Sequence, residues 1–538
     1  MRRGVISRIA FGLGVAAALV ALAPPASFAQ TSVVSLDPAR GPVGATIVVG
    51  GTGFTGASAV RVGGVPAAFT VEADDRITAS VPAGAVTGPV KVDTSGGTVA
   101  SAEPFVVLPN IVLVMTDDQR WDTLQGMPAV TNDLVGHGVT FTNTFATNPL
   151  CCPSRVAFLT GRYSHDTGVW TNSGQYGGFT SFVGDATTIA TTLDGAGYDT
   201  ALFGKYLNGY HVTGGSYVPP GWDRWRAFAT YGSYYDYALS LDGSGTEVHG
   251  SLPEDYSTDV LAADAEAFIR TASAQDPLFV WFAPLGPHAP YTPAPRHVGV
   301  LAGIPPWRPP SYNEADVSDK PAYMAALPRL TTDAQAQLDT VRQQQLEALL
   351  SVDEAVARLE QALADTGRLG DTIVVFTSDN GYLWGEHRRS GKVVPYEESI
   401  RIPLVIRWDR LPATPRVDTN LVLNLDLPGT LAEAAGTQLP GTEGRSMLPL
   451  LEGTTTSARF GLLLEHYGPG APSYCGIRTR GAAFVHYATG EEEYYRLGKD
   501  PYERTNRIAS AQWAAQIATL RDIARTRCVP LPPDMPPF

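Results

Sequence analysis

Cysteine is scarce in this chain, which has four cysteines among 538 residues. So small a number excludes a compact fold built on a framework of disulfide bonds. Cys151 and Cys152 are adjacent, an arrangement poorly suited to bridging. Cys475 and Cys528 lie near the C-terminus, where they either pair with each other or remain two separate buried thiols.

Positive charge is also in short supply. Lys and Arg together number 39 against 53 Asp and Glu, which gives a formal net charge of −14. Nucleic acid is therefore not expected as a partner, because binding it requires a basic face. Charged residues make up 17% of the chain and hydrophobic residues 44%, a balance typical of a globular protein with a large core. The length predicts two or more domains.

Long apolar runs do not occur beyond the N-terminus, so we expect no stable membrane span. The one such run, Ile9 to Ala23, follows two arginines and is short for a span. Ser27 and Ala29 then fit a cleavage site of the A-x-A type. This pattern predicts a signal peptide at residues 1–29 and an exported protein that is secreted, periplasmic or bound to the cell surface. A membrane anchor is the alternative interpretation.

Residues 31–108 form short alternating segments rich in Val and Gly, with turn signals such as Gly41-Pro42 and Gly96-Gly97 between them. Regular short strands at this spacing predict an all-β sandwich. The run from Pro38 to Phe54 resembles the IPT/TIG family of immunoglobulin-like modules. The region has no cluster of His, Cys or carboxylates, which indicates a spacer, an adhesion module or a packed neighbour.

The character of the sequence changes at Asn110. Ile111–Met115 is a continuous apolar run, as expected for a strand buried on both faces, and Thr372–Phe376 repeats this design. Apolar residues at spacings of three and four predict a helix from about residue 340 to residue 364. Alternating strands and helices predict an α/β core at residues 109–416. A smaller C-terminal lobe is expected at residues 417–538.

Both buried strands run directly into oxygen-bearing side chains. The first is followed by Asp117 and Asp118, the second by Asp379 and Asn380. Ligands gather at the carboxyl ends of strands in open α/β sheets. The four side chains therefore predict one site for a hard cation such as Ca²⁺ or Mg²⁺. Capping of the turns or helices that follow the strands is the alternative.

The sharpest local signal is Cys151-Cys152-Pro153-Ser154-Arg155 with Leu159-Thr160-Gly161 after it. Proline suits the first turn of a helix, whose N-terminus attracts anions, and Arg155 adds a permanent charge. From the residues alone, Cys151 is either an activated thiol or half of a buried structural pair.

The Cys-x-Pro-Ser-Arg pattern resembles the signature of the sulfatase family, whose fold is an alkaline-phosphatase-like α/β domain with a large, mostly parallel sheet and a smaller C-terminal α+β lobe. The rest of the chain resembles the family in the same order. The matching blocks are Asp117-Asp118-Gln119, Gly204-Lys205-Tyr206, Pro287-His288-Ala289-Pro290, Ser378-Asp379-Asn380-Gly381, Gly391-Lys392 and Asp500-Pro501-Tyr502-Glu503.

The resemblance implies a sulfuric ester hydrolase acting on a sulfated carbohydrate. A maturation enzyme would convert Cys151 to formylglycine (3-oxoalanine), whose hydrated diol attacks sulfur beside one Ca²⁺. The implied metal ligands are Asp117, Asp118, Cys151, Asp379 and Asn380. The implied catalytic residues are Cys151, Arg155, Lys205, Lys392 and the proton donor His288.

A finer resemblance is to the N-acetylglucosamine-6-sulfatase branch, on the doubled cysteine and the block Lys205-Tyr206-Leu207-Asn208. It implies 6-sulfated N-acetylglucosamine of glycosaminoglycans as substrate. Many sulfatases have a histidine where this chain has Leu207, so the base that expels sulfate stays unassigned. His165 is a candidate, although a supporting or packing role is favoured, and His387 is expected to line the pocket.

Two other functions stay open at this stage. One is a phosphoester or phosphonate-ester hydrolase of the same superfamily, although many of these bind transition metals through several histidines. The other is an inactive relative that binds sulfated glycans. Such a relative would be expected to lack the cysteine, the arginine or a metal ligand, all of which are present here.

Overall fold

The computed structural model describes residues 31–455 and 459–538. The predicted signal peptide at residues 1–29 lies outside the described residues. Within them, no helix has both the length and the hydropathy that a membrane span requires.

The N-terminal module is a β-sandwich, which confirms the prediction. Its two four-stranded sheets have the orders β1-β3-β7-β6 and β5-β4-β8-β9, and β2 pairs with β10. Alternate residues such as Ile47, Val49 and Val60 fill the space between the sheets. The strands are β1 (Ser32–Asp37), β2 (Arg40–Gly41), β3 (Thr46–Thr52), β4 (Ala59–Val62), β5 (Val65–Ala67), β6 (Phe69–Ala73), β7 (Arg76–Ser80), β8 (Val90–Thr94), β9 (Gly97–Ala100) and β10 (Val106–Val107).

This module is packed against the next domain by hydrogen bonds. The Thr46 N–H donates to Gln275 Oε1 at 2.8 Å, and the Val43 N–H donates to Asp371 Oδ2 at 3.4 Å. The sequence leaves three roles open for this module: a spacer, an adhesion module or a packed neighbour. These contacts support the role of a packed neighbour.

The second domain contains most of the remaining strands. They are β11 (Asn110–Thr116), β12 (Val139–Phe145), β13 (Asp199–Gly204), β14 (Arg224–Ala227), β15 (Tyr237–Ser240), β16 (Thr246–His249), β17 (Leu278–Ala283), β18 (Thr372–Ser378), β19 (Leu383–Trp384), β20 (Ser390–Gly391), β21 (Arg401–Ile402), β22 (Leu404–Arg407) and β23 (Arg416–Leu423). Nine of them form one sheet in the order β14-β13-β17-β11-β18-β22-β12-β21, with β23 beside β12.

The sheet is mostly parallel, as the resemblance implies, and β22 is antiparallel to both of its neighbours. Helices cover both of its faces. The α-helices of the described residues are α1 (Cys151–Thr160), α2 (Ser164–Thr167), α3 (Ile189–Asp194), α4 (Ser257–Thr271), α5 (Ala322–Ala325), α6 (Thr332–Asp365), α7 (Glu397–Ile400), α8 (Asp426–Ala434), α9 (Leu448–Leu451) and, in the C-terminal lobe, α10 (Ala514–Arg527).

The apolar strand β11 shows why the sheet is buried on both sides. Ile111 and Leu113 point into a core shared with α1, α3 and α8, whereas Val112 and Val114 point into a second core with α4 and α6. Successive side chains of a strand alternate between faces, so a continuous apolar run supplies both cores.

Helix α6 begins earlier than its apolar pattern predicts. The Thr331 hydroxyl accepts a hydrogen bond from the Ala334 N–H at 3.2 Å and caps the helix. The first two turns contain no buried residue, and buried positions begin only at Gln345. Hydrophobic periodicity reports the buried face of a helix, so it missed these solvated turns.

The C-terminal lobe contains a four-stranded antiparallel sheet, β24 (Gly461–His466), β25 (Tyr474–Thr479), β26 (Ala483–Tyr487) and β27 (Glu492–Tyr495), with α10 packed on it. The predicted boundary at residue 417 falls within β23, which pairs with β12 of the main sheet. A disulfide joins Cys475 in β25 to Cys528 after α10, which settles the pairing that the sequence left open.

We expect Cys528→Ala to lower the free energy of unfolding of this lobe by about 4 kcal/mol, because the bond closes a loop of 53 residues. Thermal unfolding measured by calorimetry should show the shift. Dithiothreitol should reproduce it in the wild-type protein and leave the variant unchanged. Identical melting of the wild-type protein with and without reductant would contradict the prediction.

Candidate active site

Two parallel neighbours, β11 and β18, end side by side at the carboxyl edge of the main sheet. Asp117 and Asp118 follow the first strand, and Asp379 and Asn380 follow the second. The Asp118 N–H donates to Asp379 Oδ1 at 3.2 Å, and Asn380 Nδ2 donates to Asp118 Oδ1 at 2.7 Å. All four side chains are buried. The fold thus brings together two pairs of oxygen-bearing side chains, and Asp118 and Asp379 in them lie 261 residues apart in the chain.

This group of side chains suits a hard divalent cation. Single ligand atoms of Asp117, Asp118, Cys151 and His288 lie within 4.8 Å of one another. Asn380 Oδ1 is buried and has no hydrogen-bond donor among the described residues. Buried carboxylates together with an amide oxygen that lacks a donor form the kind of donor set that Ca²⁺ takes.

Two lysines lie against these carboxylates. Lys205 Nζ contacts Asp117, and Lys392 Nζ contacts Asp118. Burial opposes ionisation of Asp117, but Lys205 and then His288 outweigh it and hold its pKa well below the ordinary value. Burial likewise opposes the charge of Lys392, but Asp118 holds its pKa well above the ordinary value. The edge of the sheet is therefore a buried, charged site.

Helix α1 begins at Cys151, after Leu150 in extended conformation. Pro153 occupies the first turn, where its missing N–H costs no hydrogen bond. Cys151 Sγ lies 3.5 Å from Asp117 Oδ1 and 2.8 Å from Lys392 Nζ. The helix N-terminus and the ammonium group both favour negative charge at position 151.

Arg155 lies one turn further along α1 and is fully buried. Its Nε donates to Asp379 Oδ2 at 2.9 Å, and its Nη1 donates to the Lys205 carbonyl at 2.7 Å. Its Nη2 is buried without an acceptor among the described residues. A buried guanidinium with a free donor suits an anion beside position 151.

His288 completes the group. Its Nδ1 lies 2.9 Å from the Ala289 carbonyl, which only accepts, so Nδ1 is the donor. The other ring nitrogen, Nε2, lies 3.8 Å from Asp118 Oδ2. Burial by itself would lower the pKa of His288, but Asp117 and Asp118 outweigh it and raise that pKa to about 9.

A family model described as Sulfatase matches residues 109–437, more than half of the chain. The chain belongs to the sulfatase family. A model described as N-sulphoglucosamine sulphohydrolase, C-terminal, matches residues 385–527, and the IPT/TIG domain model matches residues 32–107. The last match confirms the resemblance of the N-terminal module.

Curated relatives include sulfatases from animals and from a bacterium. The chain is 34% identical to human N-acetylglucosamine-6-sulfatase over 377 residues, which is 67% of this chain and 68% of that protein. It is 27% identical over 487 residues to N-acetylglucosamine-6-O-sulfatase of Bacteroides thetaiotaomicron, covering 76% of this chain and 84% of the relative. An extracellular sulfatase homologue of Drosophila melanogaster is 34% identical over 64% of the chain, which spans only 31% of the relative's length.

Solved structures share the fold. A protein in complex with its substrate D-glucosamine-2-N,6-O-disulfate superposes with a TM-score of 0.68 at 25% identity, over 78% of this chain and 97% of that one. A phosphonate monoester hydrolase of Agrobacterium radiobacter superposes with a TM-score of 0.62 at 23% identity, over 77% and 94% of the two chains. The second likeness shows the fold alone.

A cavity of about 380 Å³ opens beside Lys205 and His288 of this sulfatase. Most of its wall comes from the loops that follow β13 and β14, and Leu207 is part of it. Sequence reasoning missed several lining residues because they belong to no motif: Asn172, Ser173, His211 and Tyr231. For His211 and Tyr231, the position after the ends of β13 and β14 was the available signal.

Two histidines that the sequence singled out lie elsewhere. His387 is fully buried, with Nδ1 2.8 Å from Glu314 Oε2 and its ring stacked on Tyr396, so the expectation that it lines the pocket is wrong. His165 Nδ1 bonds Glu465 Oε2 at 2.7 Å. His165 does not line the cavity either, which agrees with the supporting role that the sequence favours.

Proposed function

We propose that this sulfatase releases sulfate from a sulfated sugar, namely 6-sulfated N-acetylglucosamine of glycosaminoglycans, using formylglycine made from Cys151. The observation that carries the proposal is the position of Cys151, which begins α1 between Asp117 and Lys392. A maturation enzyme is the implied partner, since the side chain must be oxidised before it can act. The names of the human and bacterial relatives support the choice of sugar.

Asp117, Asp118, Asp379, Asn380 and the modified residue 151 would hold one Ca²⁺. The ion would supply positive charge next to position 151 and the bound sulfate. The four side chains that the fold already brings together are all oxygen donors, the preference of calcium.

The remaining roles belong to the protein's own cations. In our proposal Lys205, Lys392 and Arg155 bind the sulfate oxygens and stabilise the charge that develops there. The free Nη2 of Arg155 supports this role. His288 lies at the cavity, where it protonates the sugar oxygen as that oxygen leaves. With Leu207 at the usual histidine position, the base for sulfate expulsion has no assigned residue.

We expect His288→Asn to slow sulfate release from a sugar sulfate by about 10²–10⁴-fold, the usual size of a general-acid contribution. Release from 4-nitrophenyl sulfate should fall much less, because nitrophenolate leaves without a proton. The ratio of the two kcat values measures the effect and is insensitive to partial unfolding. An equal loss on both substrates would argue against the role of proton donor.

Export is part of the proposal. Residues 1–29 have the pattern of a signal peptide, and the named fly relative is extracellular. A sulfatase that hydrolyses glycosaminoglycans outside the cell must be exported.

We also propose that the enzyme acts on chain ends. The protein has a net charge of −14, yet Arg155, Lys205 and Lys392 gather at one point. Local positive charge attracts an anion only within about a Debye length, roughly 8 Å at physiological salt. A long polysulfated chain would meet the repulsive surface, whereas a single sulfated residue meets mainly the site.

Sulfate release from 6-sulfated N-acetylglucosamine, from a short oligosaccharide and from intact heparan sulfate tests the function and this preference together. We expect the two short substrates to be hydrolysed faster per accessible sulfate. Faster release from the interior of the polymer would overturn the preference for chain ends. Turnover of a phosphonate monoester without any turnover of the sulfates would overturn the proposed function.

A further inference from the structure

A second cavity, of about 330 Å³, lies between helix α6, the segment that follows β11 and the loop at residues 301–307. We call it the α6 cavity. It shares no lining residue with the cavity beside Lys205 and His288. Its volume lies at the small end of the range for small-molecule sites. Its wall is mainly apolar and consists of two tryptophans together with Met127, Leu301, Ile304, Leu346 and Leu349.

Arg342 is the one cation among the described residues that line the α6 cavity. Its Nη1 donates to the Pro305 carbonyl at 3.0 Å, and its buried Nε has no acceptor among the described residues. Its guanidinium carbon lies 5.4 Å from the ring centre of Trp384 and 5.9 Å from that of Trp307. Burial, and then the neighbouring Arg120, lower the pKa of Arg342 below its ordinary value. The wall of the cavity therefore contains a positive charge that the protein does not neutralise.

The acids near Arg342 are already paired with other arginines. Asp122 also lines the cavity, but its two carboxylate oxygens accept hydrogen bonds from Arg120 Nε at 2.9 Å and Arg120 Nη2 at 2.8 Å. Asp339 accepts two hydrogen bonds from Arg308, at 2.7 and 2.6 Å. Both carboxylates act to raise the pKa of Arg342, but burial outweighs them. An anion that enters the cavity would supply the partner that Arg342 lacks.

A second unused donor lies one turn further along α6. Gln345 is 2% exposed, and its Oε1 accepts a hydrogen bond from Trp384 Nε1. Its Nε2 is buried and has no acceptor among the residues that the structure describes. Positions three and four apart share one face of a helix, so Gln345 lies beside Arg342 and Leu346. A buried donor without an acceptor is costly, and two of them next to one cavity indicate a ligand with acceptor oxygens.

We infer that the α6 cavity binds a small amphipathic anion, which has an oxyanion head such as a carboxylate and an apolar body. The head would accept hydrogen bonds from Arg342 and Gln345, and the body would lie against Met127, Leu346 and Leu349. An inorganic anion would leave the apolar wall uncovered, and a neutral apolar molecule would leave the guanidinium unpaired. A ligand with both parts satisfies both features of the wall.

This site is separate from the proposed sulfate site, and the inference does not depend on the proposed function. The two sites lie at opposite ends of one segment. Asp118 belongs to the proposed cation site, and the next residue, Gln119, donates through Nε2 to Thr123 Oγ1 at 3.0 Å. Thr123 lines the α6 cavity. A bound anion would therefore contact this segment without covering the proposed site, and it would not compete with the sulfated substrate.

Binding of octanoate, measured by isothermal titration calorimetry, tests the inference. A carboxylate is a suitable probe because it has no sulfate ester to hydrolyse. We expect one octanoate to bind per chain. Acetate retains only the head and octanamide only the apolar body with a neutral end, so each should bind at least about tenfold more weakly. The absence of octanoate binding, or equally tight binding of octanamide, would overturn the inference.

The variant Arg342→Met assigns the binding to the α6 cavity. Methionine keeps an unbranched apolar stem on the helix and removes the charge, so affinity for octanoate should fall at least about tenfold. The melting temperature of the ligand-free variant should be unchanged or higher, because an unpaired charge is lost. Octanoate should raise the melting temperature of the wild-type protein and not that of the variant. A less stable variant that binds octanoate as the wild type does would give Arg342 a structural role and overturn the inference.

Arg358→Met is the matched control. Arg358 lies on the same helix, donates to Glu266 at 2.9 Å and does not line the cavity, so this variant should bind octanoate normally. Hydrolysis of 4-nitrophenyl sulfate gives the last arm. If octanoate raised KM equally in the wild type and in Arg342→Met, it would be bound at the catalytic cations, contrary to the inference. Absence of hydrolysis without octanoate would instead contradict the proposed function, and the calorimetric test would stand.

Discussion

We expect sulfate release to fall by at least about 10⁴-fold in Cys151→Ala, while the protein keeps its fold, because the change removes the proposed nucleophile. Alanine has the highest helix propensity, so the first position of α1 tolerates it. Activity on a sugar sulfate and on 4-nitrophenyl sulfate measures the loss. Circular dichroism and thermal unfolding show whether the fold is retained.

Cys152 provides the matched control. It is equally buried and lies next to Cys151, but its side chain points into the apolar core shared with α3 and α8. Burial, and then the neighbouring Cys151, raise the pKa of Cys152 to about 12, so it stays a protonated, inert thiol. We expect Cys152→Ala to keep most of the activity and to lose some stability.

The mass of the peptide that contains residue 151, purified from a host with the maturation enzyme, completes the experiment. The active fraction should contain formylglycine, and protein made without the enzyme should contain cysteine and be inactive. Full activity in protein whose residue 151 is still an unmodified thiol would contradict the proposal.

Asp118→Asn and Asp379→Asn should each abolish turnover through loss of the proposed metal ion. Each change replaces a buried carboxylate by a neutral amide of the same shape at the junction of β11 and β18. The cation is then bound more weakly, because an amide has no negative charge and is a weaker ligand than a carboxylate. Bound calcium measured by mass spectrometry should fall from one ion per chain to a small fraction in both variants.

Asp365→Asn serves as the control for removing a carboxylate. Asp365 ends α6 at the surface, where it pairs with Arg270, and this variant should keep both its calcium and its activity. Chelation should inactivate the wild-type protein, and added Ca²⁺ should restore it. Wild-type calcium content and activity in both site variants would refute a shared cation site.

Much of the site could be predicted from the sequence because its residues lie in short motifs. Cys151 and Arg155 are one helical turn apart, so their relation follows from a helix that starts beside Pro153. The two pairs of oxygen-bearing side chains follow apolar runs, and ligands gather at the carboxyl ends of such strands. The β-sandwich could also be predicted, because the alternation of apolar and polar residues within each strand and the turn residues between strands are local features of the sequence.

Other features depended on how distant segments pack. Helix α6 extends into solvated turns that carry no periodic pattern, and β23, which follows the predicted core, joins the main sheet by pairing with β12. Whether Cys475 and Cys528 bond depended on the packing of α10 against β25. His387 has the residue type of a site histidine, yet its contact with Glu314 buries it away from the cavity.

The sequence by itself therefore determined the family, and it supplied the proposed nucleophile and the proposed cation ligands, because each depends on residue type and short spacing. Only the tertiary structure decided which loops wall the cavity and which charges are already engaged. Arg388 and Arg389 count as positive charge in the sequence, but their bonds to backbone carbonyls remove them from the site. Charge acts over distances of a few ångströms, and those distances exist only once the chain has folded.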